Sequence, residues 1–270
     1  MGTNTIRFIH ISDTHIGESK DFTLYGKNTF NCTNKLLKLI SVFNSPFDFV
    51  VHTGDIVNRP QNSAISLARK LFRTVDYPVY FITGNHDNSN VIKKIQTEAS
   101  HCSQSSDLLY SFSVNQYQFV FLNLKGAGEG DNHGIFSRED GDILYNHILD
   151  NTSFEIIVFI HFPPLQLDCP WVDNEMTLLN NKRFLEIIHC SPANIRAVFY
   201  GHIHNPTCIN HDGVIYSSAP SPFCQFRILA SDNEVRFNPA IPVSFNYITV
   251  NENDIIVKTV SETDLSIRQK

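Results

Sequence analysis

Five times along this chain, a short apolar run rich in β-branched and aromatic residues ends abruptly in Gly, Asp, Asn or His. Ile6-Arg7-Phe8-Ile9-His10-Ile11 leads to Asp13-Thr14-His15, and residues 47–52 lead to Gly54-Asp55. Residues 79–82 lead to Thr83-Gly84-Asn85-His86-Asp87, residues 156–160 to His161, and residues 197–200 to Gly201-His202-Ile203-His204. Near-continuous apolarity marks strands covered on both faces. A turn needs only Gly with some Asn or Asp, so strand physics does not ask for the imidazoles. In α/β sheets, the loops at strand ends along one edge converge on ligands, which makes these blocks candidates for a common site.

Between the runs lie helical stripes. Leu36, Leu37, Ile40 and Phe43 form one; Ile65, Ala68, Leu71, Phe72 and Val75 form a second. Ser137-x-x-Asp140 opens a third, through Ile143, Leu144 and Ile148, with the pattern of a capping box. Phe184, Leu185 and Ile188 mark a fourth. Residues 110–114 with 116–124, and 245–250 with 255–260, read as antiparallel hairpins. The expected fold is α/β: two packed mixed sheets flanked by helices, in one domain over residues 1–270 with a C-terminal hairpin at about 244–260. Residues 125–134 and 163–180 read as long irregular loops, which in compact domains are often functional.

A net charge of −6 and the absence of basic runs weigh against nucleic acid as a partner. Six cysteines without Cys-x-x-Cys spacing read as buried thiols of a reducing compartment. No leader is expected before the first run, and no apolar run approaches the ~18 residues of a membrane span. Met1-Gly2 lacks the Ser or Thr that myristoylation wants at position 6, and the sequons at Asn31 and Asn151 read as chance. The expectation is a cytoplasmic protein with no membrane partner.

Collected, the five blocks offer two carboxylates, one carboxamide and four imidazoles, with His86 set apart. Asp, Asn and His without Cys suit Mn, Fe or Zn. Seven donors are too many for one ion and about right for two ions that share a carboxylate. Any one block alone would be read as a turn, a cap or a core histidine. Five of the 12 histidines falling directly after strand-like runs argue for the joint reading.

The order Asp-x-His, Gly-Asp, Gly-Asn-His-Asp, His, Gly-His-x-His resembles that of the calcineurin-like metallophosphoesterases. The resemblance implies a two-sheet sandwich with a binuclear centre at its edge. Asp13, His15, Asp55 and His204 would hold one ion; Asp55, Asn85, His161 and His202 would hold the other, with Asp55 bridging. His86 would face the substrate as general acid or hydrogen-bond donor, and Asn85 would also touch it. Asp87 fits a turn-capping role better than a catalytic one. The implied reaction is in-line attack on a phosphodiester by hydroxide shared between the ions.

The protein phosphatases of the group carry Gly-Asp-x-Val-Asp-Arg-Gly, whereas this chain reads Gly54-Asp55-Ile56-Val57-Asn58-Arg59-Pro60. Asn58 could still hydrogen-bond an imidazole. Other segments are similar to class III cyclic nucleotide phosphodiesterases: His161-Phe162-Pro163-Pro164, with Phe in place of a second His; Trp171-Val172-Asp173 with Asn180; and Ala219-Pro220-Ser221-Pro222. The leading expectation is hydrolysis of 3′,5′-cyclic AMP or a related cyclic nucleotide. The alternatives are a broad phosphodiesterase or phosphomonoesterase and a non-catalytic scaffold. Trp171, read as sitting in a loop, and more weakly Phe223 are candidates to stack on a base. His133 reads as an exposed bystander, and His10, His52, His101, His147, His189 and His211 as structural or surface residues. The terminal hairpin offers an edge on which a homodimer could form.

Overall fold

The computed structural model describes residues 4–95, 103–104, 108–238 and 240–265. Met1, Gly2, His101 and Cys102 lie outside them. Two mixed sheets face each other. The first has the order Ile255–Ser261, Ser244–Val250, Ile6–Ile11, Phe49–His52, Val79–Phe81. Its last three strands are parallel, and the terminal hairpin joins them antiparallel through Ser244–Val250. The second runs Cys208–His211, Val214–Ser218, Asn194–Tyr200, Glu155–Phe159, Tyr117–Leu122, Leu109–Val114, Ser103–Gln104. Its four central strands, from Val214–Ser218 to Tyr117–Leu122, are parallel.

The layers follow from which face each side chain takes. Phe8 and Phe49 of the first sheet meet Phe119 of the second, and Phe8 also meets Phe159 and Phe199, in edge-to-face contacts with ring centroids 5.1–6.1 Å apart. Burial of such rings dominates core energetics. On its outer face the first sheet packs against helices Thr29–Ser41, Asn62–Phe72 and Ser89–Ile95. The second packs against Arg138–Leu149, Pro170–Glu175 and Asn181–Cys190. Ser137 and Asp140 form the expected capping box. The expected sandwich is therefore present, with helices outside both sheets.

Both stretches expected to be irregular carry structure. Residues 125–135 form a hairpin, Lys125–Gly128 with Asp131–Ile135, whose four glycines give no alternation for a strand reading to detect. Its base pairs parallel with Leu178–Leu179. Trp171 lies in the helix Pro170–Glu175 and is buried, so the loop placement is corrected; Pro170 at its first turn starts that helix. The cysteine expectation holds for Cys169 and Cys224, while Cys190 and Cys208 are exposed, and no disulfide occurs among the described residues. No helix among those residues is long and apolar enough to cross a membrane.

Candidate metal centre

The parallel strands of both sheets end at the same edge, and all five polar blocks leave from it. Hydrogen bonds lock the loops together. Asp13 and His15 donate their N–H groups to the carbonyls of Gly54 and Asp55, at 3.0 and 2.9 Å. Across the sheets, the Asp13 carboxylate accepts from His202 N, at 3.0 Å to the nearer oxygen. The Ser221 hydroxyl donates to the Asp13 carbonyl at 2.9 Å. Asp87 accepts from Ile56 N and Val57 N at 2.8 and 3.1 Å, so it caps the loop carrying Asp55. Asp13, His15, Asp55, His202 and His204 all take left-handed backbone, with φ between 41° and 69°. Such conformations cost energy and persist where the surroundings over-determine them, which they do most often at functional sites.

The side chains converge in two overlapping groups. His161 Nδ1–H donates to the Thr53 carbonyl at 2.6 Å, which turns Nε2 toward the cluster. That nitrogen lies 3.3 Å from Asp55 Oδ2, 3.2 Å from Asn85 Oδ1 and 3.1 Å from His202 Nδ1. Likewise His204 Nδ1–H donates to the Cys224 carbonyl at 3.2 Å. Its Nε2 is 3.2 Å from His15 Nε2 and 3.8 Å from Asp13 Oδ1. His15 Nε2 is in turn 3.4 Å from the same Asp55 Oδ2, so this one oxygen faces both groups. Asp13, His15 and His204 form one ligand-capable cluster and Asp55, His161 and His202 another; a third joins His15 and Asp55 to His86.

The donor set fits cations. Ligand-capable nitrogen and oxygen atoms crowd within 3.1–3.4 Å of one another, and among the described residues His15 Nδ1 is buried without a hydrogen-bond partner. Burial holds His15 and His202 well below the usual imidazole range and His204 down at about 3, so these rings are neutral, the state in which imidazole ligates. Burial pushes the Asp13 carboxyl up to about 7, against the pull of His161. Burial would also raise Asp55, but the imidazoles of His161, His86 and His15 outweigh it and hold that carboxyl well below its ordinary value. His161, which burial alone would depress, is raised to about 9 by the Asp55 carboxylate. Nitrogen and oxygen donors without sulfur suit Mn, Fe or Zn.

His86 stands beside the cluster. Its N–H holds Asp55 Oδ1 at 2.9 Å, and its ring nitrogen Nδ1 bonds the Asn58 backbone carbonyl at 2.9 Å. The contact thus uses the main chain, and the expected role of the Asn58 side chain is corrected. Phe162 is fully buried, edge-on to both His161 and His202 at 4.9 Å. It fits only because residue 134 is Gly, where a Cβ would lie 2.3 Å from the ring. An apolar wall therefore backs these two imidazoles. Phe223 is edge-on to His15 and His204 and buried. His133 is not a bystander: its ring bonds Asp131 at 2.7 Å and the Asn174 carbonyl at 3.0 Å, tying the glycine-rich hairpin to the helix of Trp171. Asp173 caps its own loop, accepting from Leu167 and Cys169, while Asn180 is a left-handed helix cap. His10 and His52 are buried beneath the site, bonded to Thr53 and Thr14.

A cavity of about 210 Å³ opens over the cluster, and Trp171 and Tyr25 line it with His86 and Asp55. A second cleft of about 870 Å³, lined by Arg59, His86 and the tip of the glycine-rich hairpin, adjoins it. Sequence reasoning missed the carbonyls of Thr53 and Cys224, the hydroxyl of Ser221 and the ring of Tyr25. Only the positions of Ser221 and Cys224 carried a signal, in the stretch that follows the Gly-His-x-His block.

Several known proteins are similar to this chain. A probable cyclic nucleotide phosphodiesterase of Coxiella burnetii is 28% identical over 232 residues, covering 86% of this chain and 89% of its own. The 3′,5′-cyclic adenosine monophosphate phosphodiesterase of Escherichia coli K12 is 24% identical, over 84% of this chain and 79% of its own. A probable glycerophosphodiester phosphodiesterase of Arcobacter nitrofigilis is 25% identical, over 85% and 83%. Among solved structures, an inner-membrane-complex anchor of Plasmodium superposes with a TM-score of 0.61 at 15% identity, over 95% of this chain and 84% of its own. The family model for calcineurin-like phosphoesterases matches residues 6–206, which hold all five blocks. With its sandwich and its rim of Asp, Asn and His, the chain belongs to that family, the metal-dependent phosphoric ester hydrolases.

Proposed function

We propose that this enzyme hydrolyses a 3′,5′-cyclic nucleotide, with cyclic AMP the leading substrate, using two ions drawn from Mn, Fe and Zn. The observation that carries the reading is Asp55 Oδ2, within 3.4 Å of both His15 Nε2 and His161 Nε2, as one carboxylate shared by two ions requires. Asp13, His15, Asp55 and His204 would hold one ion; Asp55, Asn85, His161 and His202 would hold the other. Bound there, the pair supplies charge neutralisation for a phosphate and a source of hydroxide at neutral pH.

The chain's own groups do the rest. Asn85 presents Oδ1 to the cluster, which leaves its NH₂ to donate to a phosphoryl oxygen. His86 Nδ1–H is committed to the Asn58 carbonyl. Its Nε2 therefore carries a proton only in the imidazolium, and that proton passes to the departing 3′ oxygen. The His86 backbone N–H steadies Asp55 throughout. The relatives named for cyclic nucleotides support the substrate. The glycerophosphodiester relative favours a second reading, a broader phosphodiesterase.

The test is a substrate panel on manganese-loaded protein: cyclic AMP, a 2′,3′-cyclic nucleotide and bis(4-nitrophenyl) phosphate. Cyclic AMP is expected to turn over best. Negligible cleavage of cyclic AMP beside fast cleavage of the aryl diester would overturn the substrate assignment. His86→Ala is expected to keep both ions and lose about 10²–10⁴-fold in kcat.

A further inference from the structure

A phosphate over the Asp/His cluster needs polar and charged partners, yet one side of the cavity above it is apolar. Tyr25 is an exposed member of that side. It sits with Gly26 at the tip of the small hairpin Thr23–Leu24 with Lys27–Asn28, at φ 49°, with Gly26 at φ 74°. Two positive φ values make a turn that favours Asn-Gly, so a bulky ring at the first position is held there against local preference. The ring is 41% exposed. It lies 4.6 Å from Phe237, parallel to Phe223 at 6.4 Å and edge-on to Phe226 at 6.2 Å. Phe226 in turn stacks on the imidazole of His204 at 4.4 Å and 13°. Aromatic surface is thus continuous from an exposed rim to a ring of the cluster.

A second observation points to a ligand. Trp171 is 96% buried, packs edge-on to Phe226 at 5.5 Å and lines the same cavity, and its indole Nε1 has no hydrogen-bond partner among the described residues. A buried donor left unpaired is costly and rare, so an acceptor on a bound molecule would satisfy it. Exposed apolar surface rimmed by polar residues marks binding sites.

We infer that Tyr25, backed by Phe226 and Phe237, is the specificity-determining shelf for the non-phosphate part of the substrate, and that this part is a flat heteroaromatic such as a nucleobase. Base–aromatic stacking accepts any π-face, and the Trp171 N–H adds a donor for a ring nitrogen or carbonyl. A glycerol-based diester has neither a face to stack nor apolar surface to bury. The inference rests on the phosphodiesterase reading above and narrows it to the class of leaving group.

The experiment compares wild type, Tyr25→Gly and Tyr25→Phe on cyclic AMP, bis(4-nitrophenyl) phosphate and glycerophosphoethanolamine. Glycine suits φ 49°, so loss of the ring is not confounded by turn strain. Tyr25→Gly is expected to lower the ratio of kcat/KM for each aromatic substrate to that for the alkyl diester about tenfold, through KM. Tyr25→Phe is expected to keep the ratio within about twofold. An unchanged ratio in Tyr25→Gly, or an equal loss on all three substrates, overturns the shelf. If wild type ignores cyclic AMP, the cyclic nucleotide reading fails, but the aryl-to-alkyl ratio still decides the role of Tyr25.

Discussion

Gly84→Ala places a methyl group in the tightest part of the site. A Cβ there would lie 2.1 Å from Asp55 Oδ1 and 2.6 Å from Asp55 N. Ordinary contact begins near 3.4 Å, so the carboxylate or the turn must move by about 1 Å. Gly84 does not have positive φ, so alanine carries no backbone penalty of its own. Without the clash, the substitution would stabilise the protein by about 0.4–1 kcal/mol through the unfolded chain. With it, overpacking costs about 1–3 kcal/mol, and the sign of the net change reports the contact. A displacement of about 1 Å at a catalytic group costs on the order of 10²-fold in rate. Thermal melts, metal analysis and phosphodiesterase kinetics on the purified variant are the assays. Lower stability, lost metal and a roughly 10²-fold drop in kcat are expected. Raised stability with both ions and full turnover would refute the placement of Asp55 at the centre.

Other perturbations reach the layers beneath. Burial holds His10 and His52 down at about 3, well below the usual imidazole value; His52 adds to the effect at His10, and His161 and His15 add to it at His52 against the opposing pull of Asp55. Below pH 6.5 the unfolded chain takes up protons that these folded rings refuse, so their contribution to stability falls as pH drops from 7 toward 3. At pH 5 each accounts for about 2 kcal/mol of lost stability. His10→Leu is therefore expected to lose about 2 kcal/mol less than wild type between pH 7 and pH 5 in urea titrations; equal losses would contradict it. Phe162→Ala empties the wall behind His161 and His202 and is expected to cost about 3–5 kcal/mol by denaturant titration and to weaken metal retention. A loss under 1 kcal/mol would contradict that wall.

The five blocks were legible because each polar residue interrupts an apolar run, and the strand-end rule then places them together. Both sheets were legible for the same reason, since residues such as Phe8, Phe119 and Phe199 face partners on either side. What escaped the sequence depends on partners that leave no residue signature. Thr53 and Cys224 contribute carbonyls, which any residue could supply, and they set which nitrogen of His161 and His204 faces the centre. The glycine-rich hairpin has no alternating pattern because its pairing is backbone against backbone. Tyr25 carries no signal in the sequence, since only the folded chain brings the hairpin tip to Phe223, Phe226 and Phe237. Asp and His in left-handed backbone likewise look no different in sequence from Asp and His elsewhere.

The centre of the account is one carboxylate shared between two cations. Metal content by inductively coupled plasma spectrometry, on wild type and on the near-isosteric Asp55→Asn, measures it directly. Two ions per chain in wild type are expected, with at least one lost together with turnover in Asp55→Asn. Two ions and full hydrolysis in Asp55→Asn, or undiminished turnover by wild type stripped of all metal, would contradict it.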